Sequence, residues 1–350
     1  MRIMESQLLA PFTTLGVGGP ARWLVEAASE EEIEQASEWA RERGVLLFVL
    51  GGGSNVLVAD EGFAGLVLRI AVKGIERDGG LFRVGAGEDW DAFVDHAVTR
   101  DCAGIECLAG IPGTVGGTPV QNVGAYGQEV ASVIELVRAF DLRLRGFAEF
   151  SGAECAFGYR RSRFNTTDRG RYIVTRVDYR LTPGGAPTVR YPELARALLE
   201  FEYPSLAEVA AAVRRIRQSK GMLLVEGDPD CRSAGSFFKN PVVSKDQFSS
   251  IAERRDVAPP SFPVGPRAEN EGNVKIPAAW LIEQAGFAKG YVLGAAGIST
   301  KHTLAIVNRG GATAQEILAL ADRIVSAVES RFGIRLEMEP ELVGFAGEDS

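Results

Sequence analysis

The spacing of apolar residues along the chain changes repeatedly between the period of a helix and that of a strand. Over residues 29–44, apolar side chains recur three and four positions apart, and Ser29 with Glu32 forms the signature of a capping box. This segment is therefore predicted to be an amphipathic helix. The apolar runs at 45–50 and 56–58 predict buried strands on either side of a glycine-rich turn.

The same periodicities predict further elements along the rest of the chain. They are, in order, short strands within 65–88, a helix over 89–100, strands within 131–182, a short helix opening at Tyr191 and Pro192, a helix capped by Ser205 and Glu208 that ends near Gly221, a helix starting at Ser244 and Gln247, a helix with Pro277 at its first position, and a long helix capped by Thr313 and Glu316. Strands of mixed spacing interrupted by helices favour an α+β fold over a doubly wound parallel sheet.

The overall charge limits the partners that the protein is expected to have. Lys and Arg number 38 against 46 Asp and Glu, which gives a formal net charge of −8. Nucleic acid is a poor partner for such a chain, because binding depends on positive charge that releases phosphate counterions. No apolar run approaches the ~18 residues of a membrane helix, and the N-terminus lacks a signal-peptide pattern. We therefore expect a cytoplasmic protein without a membrane partner.

Cysteine and histidine are too few and too scattered to predict a metal site. The chain has 4 cysteines without CxxC spacing, so we expect free buried thiols rather than disulfides or structural zinc. The 2 histidines are His96 and His302, which excludes a site of three histidines. We expect no metal, and acid–base chemistry must come mostly from other side chains.

Glycine is the unusual residue of the composition, with 41 copies. GGGSN at 51–55 joins one apolar strand to another, whereas a Rossmann turn or a P-loop requires a helix directly after the glycines. A second glycine-rich stretch covers residues 104–130. Tight turns account for many such glycines. Two such loops together nevertheless favour a site where backbone N–H groups bind a pyrophosphate, and hence a bound dinucleotide.

Six motifs then follow one another in an order that points to one family. They are GGGSN at 51–55, GIPGTVGG at 110–117 with QNVGAYG at 121–127, FGYRRS at 157–162, SAGSFFKNP at 233–241, AAWLIEQAG at 278–286 and EPELVGF at 339–345. In these motifs the chain, from Thr13 to Phe345, resembles the MurB family of UDP-N-acetylenolpyruvoylglucosamine reductases. The segment around Tyr191 resembles that of the subclass with a mobile tyrosine loop.

This resemblance implies a fold and a division into domains. Residues 1–226 are expected to form an FAD-binding domain of the p-cresol methylhydroxylase (VAO) type, with two α+β subdomains at about 1–65 and 66–226. Residues 227–333, where the composition also shifts, are expected to form a C-terminal α+β substrate-binding domain. The last segment, 334–350, is expected to return to the FAD domain.

The resemblance also implies a reaction. Members of the family use NADPH and non-covalently bound FAD to reduce the enolpyruvyl ether of UDP-N-acetylglucosamine to UDP-N-acetylmuramate, a cytoplasmic step of peptidoglycan synthesis. Hydride addition to the vinyl carbon leaves an enolate-like intermediate, which requires a positioned cation and a proton donor. Arg160, Ser236 and Glu341 match the catalytic residues of the family, with Ser236 as the donor. A guanidinium can hold a carboxylate by two parallel hydrogen bonds.

The same resemblance implies further contacts with substrate and cofactor. The expected substrate contacts are Tyr191, Lys220 at the diphosphate, Asn240 and His302, with Arg217 as a further cation. The expected FAD contacts are Gly51, Gly52, Gly53, Ser54, Asn55, Pro112, Gly113, Gly116, Gly117, Asn122, Gly124, Ala125 and Tyr126. One departure weakens the match to the FAD site, since Thr13 stands where the family commonly has Asn.

Two other functions stay open at this point. A sibling flavin oxidase or dehydrogenase would share the FAD fold but act on an alcohol or hydroxyacid, in some cases with covalent flavin. A nucleotide-sugar binding protein without chemistry would keep only the fold. The motif around Ser236 and the EPEL segment argue against the first, and the three catalytic residues together argue against the second. A monomer is the default expectation, and the sequence leaves the choice between NADPH and NADH open.

Overall fold

The computed structural model describes residues 1–253, 258–264 and 272–345. Within these ranges the chain forms two compact units. The first contains Met1–Leu8, Pro20–Ser54 and Phe63–Ser219, and the second contains Leu9–Gly19, Asn55–Gly62 and the described residues from Lys220 onward. Two short N-terminal segments therefore belong to the second unit.

Strands and helices alternate along most of the described residues. The strands are, in chain order, β1 (Ile3–Leu8), β2 (Pro20–Ala27), β3 (Leu47–Leu50), β4 (Val56–Val58), β5 (Phe63–Ile70), β6 (Ile75–Asp78), β7 (Leu81–Gly85), β8 (Cys102–Ala103), β9 (Gly124–Ala125), β10 (Gln128–Glu129), β11 (Ile134–Asp141), β12 (Gly146–Ser151), β13 (Tyr172–Arg180), β14 (Thr182–Pro183), β15 (Val242–Ser244), β16 (Phe262–Pro263), β17 (Asn273–Lys275), β18 (Val292–Leu293), β19 (Ala296–Ile298), β20 (Ile306–Asn308) and β21 (Glu341–Val343). The α-helices are α1 (Glu30–Glu42), α2 (Trp90–Val98), α3 (Pro192–Ala197), α4 (Leu206–Ser219), α5 (Lys245–Glu253), α6 (Ala278–Gln284) and α7 (Ala314–Phe332).

The first unit contains a four-stranded sheet in the order β1-β2-β5-β3, in which β5 lies parallel to both of its neighbours. Helix α1 covers this sheet with the buried face that the apolar spacing predicts. Its N-cap Ser29 accepts a hydrogen bond from the Glu32 N–H at 3.3 Å. The predicted capping box is only half formed, because the Glu32 carboxylate accepts from the N–H of Ala28 instead of that of Ser29.

The same unit contains a five-stranded antiparallel sheet in the order β12-β11-β13-β7-β6. Its buried core includes the aromatic rings of Phe82, Trp90, Phe93 and Tyr179, whose contacts have centroids 5.1 to 5.9 Å apart. Helix α2, with Asp89 as its N-cap, packs against it through Phe93, and helix α4 begins at the cap of Ser205 and Glu208 that the sequence predicts. An antiparallel sheet next to a mixed one confirms the α+β prediction.

The second unit is built around α7, which has a complete capping box of Thr313 and Glu316 and a left-handed Gly333 at its C-terminus. Two three-stranded antiparallel sheets, β18-β19-β20 and β15-β17-β16, belong to this unit. A parallel pair, β4 with β21, joins residues 56–58 to residues 341–343. The N-terminal residues Leu15, Val17 and Leu57 are buried in the core of this second unit.

The observed units differ from the predicted domain boundaries. The division comes at Lys220 rather than at residue 227, and residues 9–19 and 55–62 leave the predicted N-terminal subdomain. The C-terminal strand β21 does return to residues 56–58, but both strands lie in the second unit. Pro277 is the N-cap of α6 rather than its first residue, a shift of one position.

Two chemical expectations can be compared with the described residues. The four cysteines are free, and Cys102, Cys107 and Cys155 are buried, whereas Cys231 is half-buried. None of the helices in the described ranges combines the length and the apolar character that crossing a membrane requires.

Candidate functional site

The two glycine-rich loops of the first unit lie directly against each other. A Cβ atom on Gly52 would lie 2.6 Å from the Gly113 Cα, and one on Gly51 would lie 2.9 Å from the Thr114 Oγ1. Gly113 has a φ of +128°, and a Cβ there would lie 2.9 Å from the Ser54 Oγ. The neighbours of Gly52 are backbone atoms, so only glycine allows this approach without moving one loop, and Gly113 is favoured as glycine by its φ.

The loops also fit the requirement of a pyrophosphate site. Among the residues that the structure describes, no acceptor receives the backbone N–H of Gly52 or Gly53. Gly117, at the end of the second loop, is exposed, and a Cβ there would meet no protein atom within 4 Å. Uncommitted backbone N–H groups are what a phosphate-binding loop offers. Gly116 differs, because a Cβ there would lie 2.7 Å from that of Ala86, so this glycine serves the packing of the loop.

Asn122 joins two loops through its side-chain amide. This residue is buried and has a φ of +49°. Its Nδ2 donates to the Glu129 Oε2 at 3.0 Å and to the Gly158 carbonyl at 2.9 Å, and its Oδ1 accepts from the Ala131 N–H at 3.1 Å. The Asn122 amide thus connects the QNVGAYG loop to the turn that carries Arg160, a role that the sequence analysis missed.

Arg160 lies in a tight turn with a left-handed backbone, at a φ of +54°. The Gly158 N–H donates to the Arg161 carbonyl at 2.8 Å, which closes the turn. The Arg160 carbonyl accepts from the Asn165 Nδ2 at 3.1 Å, and its guanidinium Nη2 donates to the Gly124 carbonyl at 2.9 Å. Non-glycine residues in this backbone region are strained and cluster at functional sites, and the neighbouring bonds hold this one in place.

Tyr126 and Tyr191 are brought together although they are 65 positions apart in the sequence. Their rings meet edge to face, with centroids 5.4 Å apart and planes at 89°. Tyr126 also has a left-handed backbone, at a φ of +48°. Burial raises the pKa of Tyr126 to about 12 and also raises the pKa of Tyr191, so both hydroxyls stay protonated at neutral pH and can donate hydrogen bonds.

Arg217 is buried in the first unit and holds the start of the GIPGTVGG loop. Its Nε donates to the Gly110 carbonyl at 2.9 Å, and the Gly110 N–H donates to the Asp91 Oδ1 at 2.6 Å. Burial lowers the pKa of the Arg217 guanidinium. The sequence signal for this placement was available, because Arg217 follows Val213 by four residues on the apolar face of α4.

Ser236 lies in the second unit on an extended segment that is hydrogen-bonded on both sides. The N–H of Phe237 donates to the Leu304 carbonyl at 2.8 Å, and the Phe237 carbonyl accepts from the Glu339 N–H at 2.9 Å. Ser236 itself is half-buried, and none of the described residues forms a hydrogen bond with its hydroxyl. The adjacent Gly235 has a φ of +70° and open space where a Cβ would lie. The Ser236 hydroxyl is therefore positioned by the backbone and accessible.

Glu341 begins strand β21, two residues beyond the segment that pairs with Phe237. Its N–H donates to the Asn55 carbonyl at 3.0 Å, and the Asn55 Nδ2 donates to the Glu339 carbonyl at 3.0 Å. The segments that carry Ser236 and Glu341 are thus neighbours in the second unit. Asn55, predicted as an FAD contact together with residues 51–54, belongs to this second unit and anchors the C-terminal strand.

Three predicted substrate contacts lie in the second unit as well. His302 accepts a hydrogen bond from the Leu304 N–H on Nδ1 at 3.1 Å, so the neutral ring carries its proton on Nε2. Asn240 accepts from the Ala278 N–H at 2.8 Å and so caps the start of α6. Lys220 is half-buried and directly follows α4. Leu304 thus connects the histidine to the Ser236 segment, because its carbonyl accepts from Phe237.

The described residues contain no group of three or more His, Cys, Asp or Glu side chains arranged to hold a metal ion.

Two protein families match consecutive parts of the chain. Residues 21–144 match the family described as FAD binding domain, and residues 228–343 match the family described as UDP-N-acetylenolpyruvoylglucosamine reductase, C-terminal domain. These matches confirm the expected FAD-binding domain and place a MurB-type domain after it.

Whole-chain relatives agree with this division. The proteins named UDP-N-acetylenolpyruvoylglucosamine reductase from Streptomyces coelicolor and Thermobifida fusca are each 46% identical to this chain. They align with 97% and 96% of this chain, and with 89% and 96% of their own lengths. The crystal structure of MurB from Thermus caldophilus has a TM-score of 0.68 and 31% identity, covering 98% of this chain and 99% of that one. The chain therefore belongs to the UDP-N-acetylenolpyruvoylglucosamine reductase (MurB) family.

Proposed function

We propose that the protein reduces UDP-N-acetylenolpyruvoylglucosamine to UDP-N-acetylmuramate, with bound FAD and NADPH as reductant. The observation that carries this proposal is the arrangement around Ser236. Its hydroxyl is accessible and unpartnered among the described residues, on a segment hydrogen-bonded through Phe237 to the strand that leads to Glu341. The matching families and relatives supply the substrate class, since the relatives carry this reductase name.

The first unit supplies the residues that we assign to the cofactor. The uncommitted N–H groups of Gly52 and Gly53 and the open face of Gly117 suit a pyrophosphate, and Tyr126 and Pro112 border the same loops. FAD bound there supplies a hydride acceptor and donor, which the side chains of the protein cannot provide. We assign the reductant as NADPH from the family.

The catalytic residues are assigned by what their groups can do. The Arg160 guanidinium holds the substrate carboxylate and offsets the negative charge that develops next to it. Ser236 gives a proton to the carbon that bears that charge, and a serine hydroxyl can do so because an enolate-like carbon is strongly basic. Glu341 lies on the neighbouring strand, where its carboxyl group orients the reacting end of the substrate.

The remaining assignments concern the nucleotide part of the substrate. Tyr191, whose hydroxyl remains protonated, closes over the nucleotide sugar, and the Lys220 ammonium contacts the diphosphate. Asn240 and the Nε2–H of His302 are donors on the second unit, because their other polar atoms already accept hydrogen bonds from Ala278 and Leu304. We further assign the protein to the cytoplasm as a monomer, without nucleic acid or membrane partners.

The substitution Ser236→Ala tests the proposal through the two half-reactions. With purified protein under anaerobic conditions, NADPH should reduce the flavin at close to the wild-type rate. Reoxidation by the enolpyruvyl substrate should slow by about two to four orders of magnitude, the usual contribution of a positioned acid. Stopped-flow flavin absorbance measures both rates. Ser244→Ala is the control, because Ser244 lies in the same unit and only caps α5 through the Gln247 N–H.

Each alternative outcome has a defined meaning. Equal slowing of both half-reactions would assign Ser236 a structural role. A reduced flavin that ignores the enolpyruvyl substrate in the wild-type protein would favour the sibling oxidoreductase, and a protein purified without flavin that does not take up FAD would contradict the cofactor assignment.

A further inference from the structure

Glu106 is a buried carboxylate whose environment is unusual for a charged group. It is 0% exposed, and none of the described Lys, Arg or His residues forms an ion pair with it. Its three donors are neutral: Gly104 N–H at 2.7 Å, Gln128 Nε2 at 2.7 Å and Thr188 N–H at 2.8 Å. Burying a charge is costly unless its hydrogen bonds are satisfied, so every one of these donors matters to the site.

Thr188 is held through both of its backbone polar groups. Its N–H donates to the Glu106 Oε1 at 2.8 Å, and its carbonyl accepts from the Cys107 Sγ at 3.0 Å. Thr188 lies three residues before Tyr191, in the connection between β14 and α3. This pair of bonds therefore attaches the segment that precedes Tyr191 to Glu106 and Cys107.

Gln128 connects the same set of bonds to the β9–β10 hairpin. Its Nε2 donates to the Glu106 Oε1, while its Oε1 accepts from the Cys107 N–H at 2.7 Å. Gln128 pairs with Ala125 in the β9–β10 hairpin, whose turn carries Tyr126. The Gly124 carbonyl at the start of this hairpin is the acceptor of the Arg160 guanidinium.

We propose that Glu106 is a positioning residue. It holds the Tyr191 segment and the β9–β10 hairpin, whose Gly124 carbonyl is the acceptor of Arg160, in fixed positions relative to each other. Its Oε1 accepts from both the Thr188 N–H and the Gln128 Nε2 and so joins the start of the Tyr191 segment to the hairpin of Tyr126, while its Oε2 accepts from the Gly104 N–H. The rings of Tyr126 and Tyr191 meet in this arrangement. This inference rests on the proposed function, in which Tyr191 and Arg160 contact the substrate. Glu106 itself has no contact with substrate or cofactor in this scheme.

The substitution Glu106→Leu separates this role from simple filling of space. Leucine is of similar size but has no acceptor, so the Thr188, Gln128 and Gly104 donors all lose their acceptor. We expect KM for the enolpyruvyl substrate to rise about tenfold, because an unsatisfied buried donor costs about as much as a factor of ten in binding. FAD content and flavin reduction by NADPH should remain close to wild type.

Asp141→Asn is the matched control, since Asp141 is also a buried carboxylate of the first unit but contacts Arg171 and the β11–β12 turn. It should lower stability without changing KM. A double substitution completes the test: in a Tyr191→Ala background, Glu106→Leu should add less than a further twofold increase in KM. An effect as large in that background as in the wild type would contradict action through Tyr191.

Hydrogen exchange of the FAD-loaded protein provides a readout that is independent of turnover. The Thr188 amide, in a peptide over residues 186–191, should lose protection in Glu106→Leu, which removes its acceptor, and keep it in Asp141→Asn. Unchanged protection together with unchanged KM would overturn the inference. If the wild-type protein did not turn over the enolpyruvyl substrate, the proposed function would fail, and the exchange result would still decide whether Glu106 positions the Tyr191 segment.

Discussion

Arg160 combines a chemical requirement for a guanidinium with a backbone conformation that favours glycine. A left-handed backbone costs a residue with a Cβ about 1–2 kcal/mol, whereas glycine adopts it readily but has about 0.5–1 kcal/mol more conformational entropy to lose on folding. The difference leaves a net strain of up to about 1 kcal/mol at this position. The surrounding bonds from Asn165 and to Gly124 hold the turn in place against it.

Comparing Arg160→Ala with Arg160→Gly isolates this strain from the loss of the guanidinium. Both variants should lose substrate-dependent flavin reoxidation to the same extent, because both remove the cation. Arg160→Gly should unfold with a free energy up to about 1 kcal/mol greater than Arg160→Ala, since it alone relieves the strain. Urea unfolding of the two proteins measures the difference. A less stable glycine variant would show that position 160 is not strained.

At the residue scale, the sequence predicts positions that depend on local chemistry better than those that depend on distant partners. The glycine-rich pattern predicts loops whose backbone approaches a partner closely, but not that the Gly52 loop contacts Gly113, which only the structure shows. Asn122 and Glu106 act through Gly158 and Thr188, which are 36 and 82 positions away. A lone sequence does not show such pairings. The one visible signal for Glu106 is a charged residue placed among apolar neighbours.

Among the elements, the β11–β12 hairpin depends on one buried carboxylate. Asp141 ends β11, accepts from the N–H groups of Arg143 and Leu144 in the turn, and binds Arg171 at 2.7 Å. The hydrogen bond from the Arg171 guanidinium is the main reason why the pKa of Asp141 falls to about 2. The ionised carboxylate thus stabilises the folded state relative to the unfolded chain.

The pH dependence of this contribution has a definite sign. The pKa in the folded state is below the ordinary value of 3.8, so the stabilisation is complete above about pH 4 and is lost as the pH falls through about 2. The free energy of unfolding of Asp141→Asn should therefore be lower than that of wild type by about 1–2 kcal/mol at neutral pH. This difference in the free energy of unfolding should become smaller as the pH falls from about 4 to 2. Urea titrations at pH 7, 4 and 2.5 measure it, and a gap that widens at low pH would contradict the assignment.

The sequence predicts individual elements well because their signals are local. The caps of α4 and α7 lie where the residue pattern places them. Ser29 behaves as predicted, whereas Glu32 bonds to Ala28, because a carboxylate can reach either of two neighbouring N–H groups. The order β12-β11-β13-β7-β6 had no such signal, since strand pairing depends on contacts between distant segments.

In the whole molecule, the division into units does not follow chain order. A composition shift marks the second unit near residue 227, but residues 9–19 and 55–62 join that unit through the Thr14 hydroxyl, the Asn308 amide and the β4–β21 pair. Short segments of eight to eleven residues carry too little compositional signal to be assigned from the sequence alone. The second unit is therefore expected to depend on residues that lie far ahead of it in the chain.

Leu57→Ala tests this dependence. Leu57 is 0% exposed and packs in the core of the second unit, although it lies more than 150 residues before Lys220. Removing a buried leucine costs about 2–5 kcal/mol through lost burial and the cavity left behind. We expect amide hydrogen exchange in α7 and β19–β20 to accelerate more than exchange in the five-stranded sheet of the first unit.

Leu66→Ala in β5 is the matched control, because Leu66 is equally buried but belongs to the core of the first unit. It should produce the opposite pattern, with faster exchange in β2 and α1 and little change in α7. Equal acceleration of both units by each variant would mean that the units unfold as one cooperative body. Opposite patterns would instead show that Leu57 stabilises the second unit, although most of that unit lies far downstream of Leu57 in the chain.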